Sequence, residues 1–124
     1  MRAIKEYQTA SIESAINVAS PHKITSMLYE GILKNLHLAK HAQKMKDFEK
    51  RSEAVSKAEA IVITLASTLN DDAAPEVSQN LRRLYDFVIN SLNDFIMDGD
   101  IERVDGCVKV IKEIKAGWDS IEVD

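Results

Sequence analysis

Helix-breaking residues are few in this chain, and those that sit among other turn formers mark only three short places, which leaves it little to fold into except helices. Of 124 residues, only two are Pro and four are Gly. Pro21 follows Ser20, Pro75 closes the run Asn70-Asp71-Asp72-Ala73-Ala74, and Gly99 sits between Asp98 and Asp100. Turn-rich β-folds need many more such residues. Between the breakers, apolar residues recur at helical rather than alternating spacing.

That spacing predicts helices over about 20–46, 48–69, 75–97 and 101–118. Ser20 can cap the first, and Pro21 suits a first helical position. Its core stripe is expected at Ile24, Met27, Leu28, Gly31, Leu38 and Ala42, while Tyr29, Ile32, Leu33 and Leu36 widen the apolar arc to roughly half the circumference. The second helix carries Phe48, Val55, Ala58, Val62, Leu65 and Leu69, joined by Ala54 and Ile61. The third carries Val77, Leu81, Leu84, Val88, Leu92 and Phe95, again widened by Tyr85, Phe87, Ile89 and Ile96. The fourth is narrower: Ile101, Val104, Cys107, Val108, Ile111, Ile114 and Trp118. Short links make successive helices antiparallel neighbours. The expected fold is all-α, an up-down-up-down four-helix bundle over 20–124 with an N-terminal arm or short helix over 1–19. A helix facing one core needs an apolar stripe of about 100°. The wider arcs therefore imply cover, by the chain or by a partner.

Composition excludes several classes. Apolar content of 45% and charged content of 29% suit a folded domain rather than a disordered one. A net charge of −4 is too mild for a polyanion partner across the whole surface. The single Cys107 forms no internal disulfide and suits a reducing compartment. The N-terminus has no apolar run of a secretory signal, and no stretch approaches the ~20 apolar residues of a membrane span. These features lead to the expectation of a cytoplasmic protein without membrane insertion.

Candidate chemistry is sparse. His37 and His41 lie four apart, a spacing that can hold a metal, but both fall on the polar side with Lys34 and Lys44. The stretch Asp94 to Asp105 has calcium-loop carboxylates, yet Ile96 stands where a ligand is required. Cys107 falls on an apolar face and reads as a small core residue. Lys34, Lys40, Lys44, Lys46, Lys50 and Arg51 make the first link basic without the interleaved aromatics of a nucleic-acid surface. No phosphate loop or nucleophile elbow is present. The expectation is therefore a protein with no enzymatic activity, no cofactor, no metal and no nucleic-acid partner.

An ordered set of segments then resembles a known family. Tyr7-Gln8 precedes Ala19-Ser20-Pro21-His22-Lys23-Ile24 and Met27-Leu28-Tyr29-Glu30-Gly31. Lys57-Ala58, Ile61-Val62 and Leu65 follow, then Asn80-Leu81-Arg82-Arg83-Leu84-Tyr85-Asp86-Phe87, and Trp118 near the end. The chain resembles the FliS family of flagellar secretion chaperones along nearly its whole length. The resemblance implies a cytoplasmic export chaperone that binds the C-terminal segment of flagellin one-to-one. Such binding would prevent premature polymerisation and keep the subunit competent for flagellar type III secretion. Another flagellar export or regulatory protein is the alternative partner for an adaptor of this fold. The resemblance also implies that the N-terminal segment covers part of the cargo groove.

Read together, the wide arcs and the resemblance nominate Tyr29, Ile32, Leu33, Leu36, Ile63, Leu84, Tyr85, Ile89 and Ile96 as the cargo surface. Ile4, Tyr7, Gln8 and Ile12 are the expected cover.

Overall fold

Four helices make up this computed structural model, which describes residues 21–121: α1 (Pro21–Lys44), α2 (Phe48–Ser67), α3 (Pro75–Asp98) and α4 (Ile101–Asp119). Observed and expected boundaries agree within about two residues where both can be compared. The expected arm over 1–19, with Ile4, Tyr7, Gln8 and Ile12, and the proposed cap Ser20 lie outside the described residues.

The ends follow local chemistry. The Asp47 carboxylate accepts from the Lys50 amide and caps α2, and Asp100 accepts from the Glu102 amide and caps α4. Pro75 opens α3 without a side-chain cap. Gly99 closes α3 in the left-handed region at φ 68°, its amide donating to the Phe95 carbonyl at 2.7 Å. A Cβ there would lie 2.8 Å from Gln43 Nε2.

Each helix packs against two neighbours, α1 on α2 and α4, and α3 on α2 and α4. This closed square is the antiparallel four-helix bundle. Polar contacts fix its directions. His22 at the start of α1 meets Trp118 at the end of α4: the rings stack at 4.8 Å, and Trp118 Nε1 donates to the His22 carbonyl at 2.7 Å. His22 Nε2 lies 2.7 Å from the Trp118 carbonyl, which can only accept, so Nε2 carries the proton. Further along the same seam, Lys40 Nζ donates to Asp105 at 2.7 Å.

The core runs through the middle of the square. Ile32, Leu36, Val62, Val88, Leu92, Phe95, Val104, Cys107 and Ile111 have essentially no exposed surface. Tyr29 and Tyr85 meet across it, hydroxyl to hydroxyl at 2.6 Å. At one end, the Arg51 guanidinium lies 4.8 Å from the Phe48 ring and 5.7 Å from the Phe95 ring. It donates to Gln43 Oε1 at 2.8 Å and to the Ile96 carbonyl at 3.3 Å, which ties three helices together. Arg51 Nε is buried there without a hydrogen-bond partner among the described residues.

The facing of α1 differs from the sequence expectation. Its buried residues are Tyr29, Ile32, Leu36, Ala39 and Ala42, whereas Ile24, Met27 and Leu38 are exposed. A bundle helix touches two neighbours and the centre at once, so a half-circumference apolar arc is what its place requires. The expected stripe is one edge of that arc, facing α2. Gly31 on this edge lets α2 come close: a Cβ there would sit 3.2 Å from Ile61 Cδ1. Phe48 and Val77, expected in the stripes of α2 and α3, are likewise exposed near helix ends.

Candidate functional site

The outer edge of the α1/α2 seam carries an apolar track. Ile24 and Met27 near the start of α1, and Leu38 and Met45 near and just past its end, are 38%, 46%, 50% and 67% exposed along one edge. At 1.5 Å per residue the track runs for about 30 Å. Beside its second half lies a pocket of about 440 Å³, lined by Asn35, Leu38, His41, Ala42 and Met45 on the α1 side, with Asp47, Lys50, Glu53, Ala54 and Lys57 opposite. Small residues create this space. Ala42 and Ala54 form its floor, and Asn35 is turned back to donate to the Gly31 carbonyl at 2.9 Å. The two methionines are unbranched and adapt to an irregular partner surface.

The structure divides the nominated cargo residues. Tyr29, Ile32, Leu36 and Tyr85 are core residues, at most 2% exposed, and they present no docking surface in this state. Burial raises the pKa of both phenols above the ordinary tyrosine range. For Tyr85 the hydrogen bond from its partner pushes the same way, whereas for Tyr29 it opposes burial. Leu33, Ile89 and Ile96 are half-buried against the core. Ile63 and Leu84 are open, but on different seams. Ile61 touches α1, and Ile63 lies about 200° further round α2. Leu84 sits one turn from Phe87, which contacts α4 beside Gly106. No single face joins these residues.

Reading the sequence missed Ile24, Met27, Leu38 and Met45 as open surface. A signal was present in the heptad-like spacing 24, 31, 38, 45, which marks a helix edge facing one neighbour rather than a bundle centre.

The remaining candidates have local roles. His37 and His41 are both exposed, and no group of three or more His, Cys, Asp or Glu converges among the described residues. Asp94 and Asp98 face Arg103 at 3.7 and 2.7 Å, and Asp98 also accepts from the Asp100 amide. These contacts hold the Asp98 carboxyl below its ordinary range, the amide contributing most. Asp94 and Asp98 of the supposed calcium loop thus close the α3–α4 turn, while Asp105 pairs with Lys40 of α1. Cys107 is fully buried, its thiol directed at the Val88 carbonyl at 3.8 Å, and burial pushes its pKa up to about 11. A thiol so protonated is a poor nucleophile. No helix among the described residues is long and apolar enough to cross a membrane.

Comparison with known proteins agrees with the four-helix fold. The family model of the flagellar protein FliS matches residues 3–124. The flagellar secretion chaperone FliS of Vibrio cholerae is 33% identical over 119 residues, covering 96% of this chain and 88% of that protein. The flagellar secretion chaperone FliSB of Pseudomonas aeruginosa is 31% identical, covering 98% and 96%. The Bacillus subtilis FliS is 36% identical over 90 residues, covering 73% and 66%. A solved structure described as a flagellar chaperone from bacteria superposes with a TM-score of 0.75 at 19% identity, over 93% of this chain and 94% of that one. The chain belongs to the FliS family of flagellar secretion chaperones.

Proposed function

We propose that this protein holds the C-terminal segment of flagellin in the cytoplasm, one-to-one, along the α1/α2 groove. The observation that carries this reading is the exposed track of Ile24, Met27, Leu38 and Met45 beside a ready-formed pocket. A segment that is disordered when free folds on binding and lays one apolar face along the track. Each aliphatic anchor it buries contributes about 1.5–3 kcal/mol before ordering costs. The segment covered in this way is withheld from polymerisation and stays unfolded enough for export. Ile63 and Leu84 are the further contacts for a cargo long enough to leave the groove and wrap the bundle.

The N-terminal residues Ile4, Tyr7, Gln8 and Ile12 cover the groove when cargo is absent. A competing cover lowers the apparent cargo affinity by the fraction of groove left open.

The test is size-exclusion chromatography with light scattering, using flagellin from the same organism, whole and without its C-terminal segment. A one-to-one complex with the whole protein alone supports the reading, and no complex with either refutes it. Leu38→Asp should abolish the complex while leaving the melting temperature near that of the parent. Deleting residues 1–18 should tighten binding, and unchanged or weaker affinity by calorimetry would remove the cover from the account.

A further inference from the structure

The two walls of the α1/α2 pocket differ in chemistry. On the α1 side, Leu38, Ala42 and Met45 form an apolar line, spaced four and three apart, beside the polar Asn35 and His41. On α2 the wall is Lys50, Glu53 and Lys57, spaced three and four, with Ala54 beneath. Such spacings keep each set in one line along its helix for about 10 Å, close to two turns. The charges on α2 alternate in sign, and the described residues do little to satisfy them. Glu53 and Lys57 form no ion pair among the described residues. Lys50 faces only Asp47, at 3.8 Å, with a side chain 77% exposed. An apolar line flanked by a line of alternating charge is the pattern one helix offers another in a coiled coil, apolar seam inside and charged positions at its edge.

We infer that the pocket reads charge as well as apolar shape. Its occupant is an amphipathic helix whose edge over α2 carries acidic residues opposite Lys50 and Lys57 and a basic residue opposite Glu53. This rests on the groove being the cargo site, as proposed above. The apolar wall supplies most of the affinity, and the charged wall selects among amphipathic helices and sets their register. A helix with the opposite signs meets three like-charge contacts at the same depth.

Two synthetic helical peptides with identical apolar faces test the inference. One carries Glu, Lys, Glu along the edge, and the other carries Lys, Glu, Lys. Calorimetry at low salt should show the first binding about tenfold or more tighter, with the gap shrinking at high salt. The triple variant Lys50→Glu/Glu53→Lys/Lys57→Glu should invert the preference. Lys112→Glu on α4, which makes the same net change in charge, should leave it alone. Equal affinity for the two peptides, no binding of either, or a preference that survives the triple variant overturns the inference. Leu38→Asp separates the two levels of argument. Loss of both peptides places them in the groove, so a failed charge preference then counts against the inference alone. Binding unaffected by Leu38→Asp counts against the groove as the docking site.

Discussion

Replacing Tyr29 and Tyr85 by Phe, singly and together, decides whether the pair belongs to the core or to a contact surface. The hydroxyls meet at 2.6 Å between residues that are each 2% exposed. Around them are the aliphatic residues of the bundle centre, so neither has another ready partner in the core cluster. Tyr29→Phe leaves the Tyr85 hydroxyl buried without its partner, and Tyr85→Phe does the converse. Each should cost about 1–3 kcal/mol, the penalty of a desolvated polar group left unpaired. Removing both hydroxyls deletes donor and acceptor together while keeping the ring volumes. The double variant should lie within about 1 kcal/mol of the parent, so the two single losses together should exceed the double loss by about 1–6 kcal/mol. Urea unfolding followed by circular dichroism measures the cycle. For a domain of this size, each kcal/mol lowers the melting temperature by about 4 °C. Strictly additive losses would refute the reasoning. So would single variants as stable as the parent that lose only cargo affinity, because that is how an open surface pair behaves.

Four further outcomes are expected. The stability that buried Cys107, Tyr29 and Tyr85 contribute should be complete below pH 9 and fall above it. The raised Cys107, Tyr29 and Tyr85 keep their protons in the fold, while the unfolded chain gives them up from its ordinary values of 9.0 and 10.0. The slope approaches about 1.4 kcal/mol per pH unit for each group, and Tyr29→Phe/Tyr85→Phe/Cys107→Ala should flatten it in urea titrations at several pH values. Gly99→Ala should cost about 1–2 kcal/mol in urea unfolding, because it places a Cβ at φ 68° and 2.8 Å from Gln43. Phe95→Ala should cost about 3–5 kcal/mol, against under about 1 kcal/mol for Leu38→Ala, and comparable thermal losses would contradict the assignment of core and groove. Trp118→Phe keeps a ring over His22 but removes the donor to its carbonyl. It should cost about 0.5–1.5 kcal/mol and speed amide exchange in the first turn of α1; unchanged exchange there would mean that the clasp does not hold that turn.

The caps and breakers made the helices legible. Asp47, Pro75, Gly99 and Asp100 act within a few residues of themselves, so local sequence was enough to place the ends. The resemblance carried by Met27-Leu28-Tyr29-Glu30-Gly31 and Asn80-Leu81-Arg82-Arg83-Leu84-Tyr85 led to the family. The candidate site was legible only in part. Apolar surplus was correctly located on α1, but Tyr29, Ile32 and Leu36 were assigned outward and Ile24, Met27 and Leu38 inward. Periodicity reports that residues share a face, not what that face meets. Tyr29 and Tyr85 look like groove residues in isolation, since a phenol is amphipathic, and only the other's hydroxyl in the core makes burial acceptable.

By itself, then, the sequence determined the helical class, the element boundaries, the antiparallel order that short links impose, and the family. The tertiary structure decided the facing of each helix, because that depends on two neighbours and a centre that no single segment encodes. It also decided the groove. Ala42 and Ala54 are unremarkable small residues along the chain, and they become a floor only where α1 and α2 lie side by side. The charged wall of Lys50, Glu53 and Lys57 acquires meaning in the same way, from the apolar line of Leu38, Ala42 and Met45 that packing sets opposite it.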